Sequence, residues 1–257
     1  HEGAAAEYRK ALELAPNYLP TRERLARVQG KLGLFEEQAM TLEQTASLLD
    51  GAEASSATLY KAGRLFADKV GNPERAIRCL ELSLESPPGA LLNVEALAEA
   101  QMDAGKFKDA ADTLQKASGE VEDDEIRISL LYRAAQIAIA ELDDAARAEE
   151  CLRAILDLSP AFLGATLDLR EILGRAGDRA AIAALEEREA SAGDNVRGRY
   201  WWMFSAARSY EAAGQLDKAR ECYTKLHSEI KGSRPAYQAL RRLARRQKDE
   251  LALTDLF

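Results

Sequence analysis

Histidine, cysteine and tryptophan are scarce in this 257-residue chain, with two, three and two copies. The two histidines, His1 and His227, cannot supply the ligand spacings of the usual zinc sites. Three cysteines are an odd number for a disulfide framework and fit a reducing compartment, so a cytoplasmic protein is expected. No apolar run approaches the ~18 residues of a membrane span, so no membrane insertion is expected. No signal-peptide pattern opens the chain. The first residue is His1 and not Met, which fits a piece of a longer chain and leaves open a targeting segment ahead of it. There is no Gly-rich phosphate loop, no Ser-x-Gly elbow and no paired His-Glu motif. The expectation is a protein without enzymatic activity, cofactor or metal. A formal net charge of −8 gives no attraction to a phosphate backbone, which disfavours nucleic acid as a partner.

Helix breakers are few as well: 7 prolines and 16 glycines. Aromatics make up only 6%, while hydrophobic residues reach 47% and charged residues 30%. Ala and Leu dominate the apolar set and lose little entropy in a helix, so the balance favours helices over strands.

The chain repeats itself. Leu59-Tyr60-Lys61-Ala62-Gly63 aligns with Leu131-Tyr132-Arg133-Ala134-Ala135 at an offset of 72. Without a gap, Ala76, Cys79, Leu80, Leu84 and Pro88 then fall on Ala148, Cys151, Leu152, Leu156 and Pro160. Phe204, Ala206 and Ala207 lie another 72 residues on, and Ala219 and Cys222 lie 71 beyond Ala148 and Cys151, so one residue has been lost in a turn. The period is twice a unit of about 34 residues with a small insertion. Helix-turn-helix junctions fall at Gly33-Leu34, Gly71-Asn72-Pro73, Gly105-Lys106, Gly177-Asp178 and Gly214-Gln215, with the inserted residue just before Gly71.

These residues resemble the tetratricopeptide repeat family over nearly the whole chain. The most family-like stretches are Ala4 through Pro16, Ala76 through Pro88, and Tyr210 through Tyr223. The unit from Ala161 to Gly193 departs from the pattern: Ile182 stands where the second-helix Ala is expected, and a closing proline is missing. The family's large first-helix aromatic is usually replaced by smaller residues. The alternation of long and short units is also similar to the long tandem-repeat scaffold proteins of gliding bacteria.

The resemblance implies an all-α, right-handed α-solenoid of two-helix units in one domain over 1–257. The expected units are a second-helix remnant at 2–16, pairs near 18–50, 54–87, 90–118, 124–159, 161–192 and 196–231, and a cap or severed unit at 234–257. Small residues midway along first helices (Ala62 and Gly63, Ala134 and Ala135, Ala206 and Ala207) allow close helix approach. Ala76, Ala110, Ala148 and Ala219 do the same early in second helices, with Leu80, Leu114, Leu152 and Tyr223 one turn further on the same face. Gly33, Gly105, Gly177 and Gly214 suit the left-handed closing position of a first helix. Pro16, Pro88 and Pro160 end second helices. Cys79, Cys151 and Cys222 share one slot of three second helices, which marks a packing position. One unit cannot bury its apolar face alone, but stacked neighbours can.

In this family the concave wall is built from first helices. The groove-facing positions implied here are Tyr60 and Arg64, Glu95 and Glu99, Tyr132 and Gln136, Leu167 and Glu171, then Trp201, Phe204 and Arg208. Tyr60, Tyr132 and Phe204 would form an aromatic line. Tyr, Trp and Arg are favoured interface anchors, so these residues either grip a protein or peptide partner or pack between neighbouring first helices. Three consecutive aromatics, Tyr200-Trp201-Trp202, cannot all face inward on a helix, so at least one should be exposed or bound. Some family members hold chaperone C-termini with a Lys/Asn/Asn/Lys/Arg clamp; the matching positions carry Tyr60, Arg64, Ala96, Ser129 and Arg133, and that activity is not expected.

Two charge runs complete the inventory. Glu120, Glu122, Asp123, Asp124 and Glu125 read as a solvated turn or a cation site. Arg241, Arg242, Arg245, Arg246 and Lys248 share a helix face, as a polar cap or as a docking surface for an acidic partner or further repeats of a longer chain. The function expected is a non-catalytic interaction scaffold or adaptor that holds a partner segment in the groove, within a larger assembly such as a motility or envelope complex. The alternative is a helical accessory or regulatory domain of a larger enzyme, or a peptide-sensing regulator. Fold alone does not choose between them.

Overall fold

The computed structural model describes residues 1–85, 91–192, 195–229 and 233–247. Pro88, Gly193, Lys248 and the 248–257 part of the expected last unit lie outside the described residues. The protein is all-α. Among the described residues it has fourteen α-helices, one π-helical segment and no strand. No helix there is long and apolar enough to cross a membrane.

The chain forms two compact units, His1–Asp143 and Asp144–Phe257. Unit 1 holds α1 (Glu2–Leu14), α2 (Leu19–Lys31), α3 (Phe35–Ala46), α4 (Ala52–Leu65), the π segment Phe66–Val70, α5 (Pro73–Leu84), α6 (Leu91–Asp103), α7 (Phe107–Glu120) and α8 (Asp124–Ala140). Unit 2 holds α9 (Ala145–Leu158), α10 (Leu163–Ala176), α11 (Arg179–Ala192), α12 (Val196–Ala212), α13 (Leu216–Glu229) and α14 (Arg234–Gln247). Within each unit every helix packs on the next one in the chain. The units differ in charge. Unit 1 carries 16 basic and 25 acidic residues, a net of −9; unit 2 carries 19 and 18, a net of +1.

Local chemistry sets the helix ends. The Asn72, Asp123, Asp144 and Asn195 side chains accept hydrogen bonds from backbone N–H groups of the first turns of α5, α8, α9 and α12, using donors that a helix start leaves unpaired. The acidic run is thereby partly explained: Asp123 Oδ1 accepts from Glu125 N and Ile126 N, and its neighbours are exposed. α1 and α9 end two residues before Pro16 and Pro160.

First helices close in the left-handed region at two series of positions. Gly33, Gly105 and Gly177 (φ 73°, 70° and 75°) form one, spaced by the double repeat. Gly71, Asp143 and Gly214 (φ 70°, 49° and 78°) form the other. Asp143 is the one member with a side chain, and a Cβ is disfavoured in that conformation. The inserted residue before Gly71 is taken up by the π segment Phe66–Val70, since a π turn holds one more residue than an α turn. The ungapped counterpart handles it differently: α8 stops at Ala140 before the turn to Asp143.

Ala76, Ala110, Ala148 and Ala219 are all fully buried, as are Leu80, Leu114, Leu152 and Tyr223. Each of these leucines is worth about 2 kcal/mol of burial. At Gly63 there is no room for a side chain: a Cβ there would meet Leu80 Cγ at 2.6 Å and the Ala76 carbonyl oxygen at 3.3 Å. Cys79, Cys151 and Cys222 are buried free thiols. Burial pushes the Cys79 and Cys222 thiols up to about 11, which keeps them protonated and unreactive at neutral pH.

Candidate functional site

In unit 1 the first helices α4, α6 and α8 carry the residues expected to face a groove. Arg64 Nη1 donates to Glu99 Oε2 at 2.7 Å, and Arg64 Nη2 lies 3.1 Å from Asp68. Arg133 Nη2 stands 3.6 Å from the other Glu99 oxygen. The Arg64 pKa is raised, first by the Glu99 hydrogen bond, with burial opposing it. Arg64 and Glu99 thus satisfy each other's charge. Tyr60 is half-buried against the Ala62–Phe66–Ala76 core. Glu95 and Tyr132 are half-buried, and Gln136 is exposed.

Unit 2 is organised differently. α12 begins at the Asn195 cap and ends before the left-handed Gly214. Of its aromatic triplet, Trp201 is 54% exposed and meets Trp202 edge-on at 4.6 Å, while Tyr200 donates to or accepts from Ser233 Oγ at 2.8 Å. Phe204 is half-buried, stacked on Tyr200 at 6.1 Å and edge-on to Tyr223 at 5.5 Å. Arg208 is exposed and makes no ion pair among the described residues. On α10, Leu167 is exposed, and Glu171 pairs with Arg175 at 2.6 Å.

Two adjoining clefts flank α12. The larger, about 610 Å³, lies among α12, α13 and α14 and is lined by Phe204, Arg208, Glu211, Tyr223, Arg242 and Arg246. The smaller, about 380 Å³, adds Arg170, Arg179, Trp201, Ser205 and Ser209, and the two share Phe204, Arg208 and Ala212. Glu211 accepts from Arg242 Nε at 3.3 Å and Nη2 at 2.7 Å, which raises the Arg242 pKa. The Tyr223 ring is 0% exposed, and its hydroxyl has no hydrogen-bond partner of normal geometry among the described residues. Burial pushes its pKa up to about 12, with Glu211 adding to the rise and Arg242 opposing it.

Under the smaller cleft lies a charged floor that the motif reading does not reveal. Glu186 is 0% exposed. It accepts from Arg170 Nε at 2.8 Å, Ser205 Oγ at 2.7 Å and Ser209 Oγ at 2.7 Å. One turn on, Glu189 accepts from Thr166 Oγ1 at 2.9 Å. The signal was in the register: Glu186 lies 72 residues beyond Leu114, four after the irregular Ile182, where other second helices carry a core side chain. A carboxylate in that slot requires donors from neighbouring helices.

No family model matches the sequence, and no curated protein matches it. Solved structures do. The structure of Naa15/Naa10 bound to HypK-THB aligns over 93% of this chain and 35% of that chain, at 16% identity and a TM-score of 0.50. The C-terminal part of a TPR repeat-containing protein from Cytophaga hutchinsonii aligns over 92% and 93%, at 16% identity and a TM-score of 0.45. YrrB, a TPR protein with an unusual peptide-binding site, aligns over 72% and 91%, at 17% identity and a TM-score of 0.39. At these identities the likeness concerns the fold. The fold itself, an all-α series of helix-turn-helix repeats of tetratricopeptide-like length, is read from the register and the helices of this chain.

Proposed function

We propose that the chain is a non-catalytic interaction scaffold that holds a segment of a partner protein on first-helix faces, as one stretch of a larger assembly. Tyr60, Arg64, Glu95, Glu99, Tyr132 and Gln136 are the contact surface proposed in unit 1, and Trp201, Phe204 and Arg208 the one in unit 2. The observation that carries the reading is an exposed Trp201 together with an Arg208 that makes no ion pair among the described residues, along two adjoining clefts. An exposed tryptophan and arginine beside a concavity are the residue types that dominate binding energy at interfaces. The Arg64–Glu99 pair shows that not every groove position offers a free charge, so the weight of the reading falls on α12.

The test is affinity capture from lysate of the source organism with the wild-type chain, Trp201→Ala and Arg208→Gln. Both side chains are exposed, so each variant should keep its helicity and lie within about 0.5 kcal/mol of wild-type stability. The expected result is loss of the same captured protein in both variants. Undiminished capture with intact circular dichroism would reject this surface. Phe204→Ala is a poorer probe, because that ring also packs on Tyr200 and Tyr223.

A further inference from the structure

The larger cleft of unit 2 has an unusual charge balance for so acidic a chain. Arg208 and Arg246 line it, are exposed, and make no ion pair among the described residues. Its one acidic lining residue, Glu211, is bonded twice to Arg242 and has a side chain only 17% exposed. The Tyr223 ring forms part of the wall, and its hydroxyl is buried beside the Arg242 guanidinium. Two exposed cationic side chains around one concavity suit a carboxylate. The second cleft continues the surface, sharing Arg208 and Phe204 and adding the exposed Trp201 and Arg179. A ligand spanning both is longer than one residue and carries an apolar side chain beside its acidic ones.

We propose that the α12–α13–α14 cleft seats a glutamate or aspartate side chain from an internal acidic segment of a partner protein, with a neighbouring apolar residue of that segment packed on Trp201. The proposal rests on the reading of α12 as the partner surface. It assigns Arg208 and Arg246 as the counter-charges of the bound carboxylate.

The chain's two tryptophans, Trp201 and Trp202, both lie on α12, so intrinsic fluorescence reports on this surface. The probe is an acetylated, C-terminally amidated octapeptide of six glutamates and two phenylalanines. Its control carries glutamine in place of glutamate. Amidation removes the terminal carboxylate, so only side chains are offered. The glutamate peptide should bind about tenfold or more tighter than the glutamine peptide, and its affinity should fall with added salt. Arg208→Gln and Arg246→Gln should each weaken it about tenfold while leaving the glutamine peptide and the melting temperature unchanged.

Equal affinity for the two peptides overturns the proposal, and so does glutamate-peptide binding that neither variant changes. Self-association that Arg208→Gln abolishes would also overturn it, making the acidic unit 1 of a second copy the occupant. If lysate capture depends on Trp201 while the peptides bind alike, the acidic chemistry fails and the surface stands. If capture is indifferent to Trp201 and the peptides leave the fluorescence unmoved, both fall.

Discussion

Arg170 and Glu186 form an ion pair at 2.8 Å that joins solvent to core: the Arg170 side chain is 41% exposed and the Glu186 side chain is fully buried. The carboxylate occupies the slot held by Leu114 one double repeat earlier, and Ser205 and Ser209 complete its coordination from α12. Glu186→Ala leaves two hydroxyls and one guanidinium without their acceptor. Because Arg170 remains partly solvated, the loss should be about 2 kcal/mol rather than the larger figure for a fully buried pair. Glu186→Leu restores an apolar side chain of the kind other units use there. It should stay within about 1.5 kcal/mol of wild type, because the serine hydroxyls can turn to helix carbonyls. Urea unfolding of the two variants separates these outcomes, and equal destabilisation would show that volume, not charge, governs the slot.

Gly63 faces Leu80 so closely that a Cβ there would meet Leu80 Cγ at 2.6 Å. Gly63→Ala should destabilise by about 1–3 kcal/mol, since the added carbon must displace a leucine branch and crowd a backbone carbonyl. Combining it with Leu80→Ala should cost less than the sum of the single changes. Strict additivity in a double-mutant cycle would mean that the contact is not the cause.

Asp143 is the non-glycine member of its left-handed series. Asp143→Gly should raise stability by about 0.5–1 kcal/mol, and Asp143→Val should lower it by about 1 kcal/mol or more. Thermal melts of both variants check the sign, which should be opposite for the two.

The buried thiols predict an alkaline limit. Cys79 and Cys222 rise from 9.0 to about 11 on folding, so the folded state holds protons that the unfolded state releases. Their contribution is fully present below pH 9 and is lost as pH rises through 11. Each thiol accounts for about 2–3 kcal/mol at most over that window. The decline in urea stability between pH 8 and pH 10.5 should be shallower in the Cys79→Ala/Cys222→Ala variant. An identical decline would assign the alkaline loss to other groups.

Much of this architecture was legible in the linear sequence because it depends on residues near one another. The register places Gly33, Gly105 and Gly177 in equivalent turns, and a turn that demands positive φ selects glycine whatever packs around it. The cysteines were recognisable as packing residues because one slot recurs in three second helices. That at least one of Tyr200, Trp201 and Trp202 would be exposed followed from helix geometry, since three successive residues point in three directions, but that it is Trp201 came from the packing. The register also contained the anomaly at Glu186, but a charged residue at a helix position reads as solvent-facing until its neighbours are known.

The amino-acid sequence by itself determined that this protein is a succession of helix pairs, roughly where the helices begin and end, and which small residues let neighbours approach. Those properties follow from backbone preferences and from a period that any copy of the repeat repeats. Only the tertiary structure decided what the expected groove positions do. Arg64 is neutralised by Glu99, 35 residues away, whereas Arg208 has no ion pair among the described residues. Phe204 divides its ring between the core and a cleft, and Tyr223, a core residue by register, is buried with its hydroxyl beside Arg242. Charge pairing and hydrogen-bond satisfaction depend on distances between helices far apart in sequence, and the repeat pattern carries no record of them.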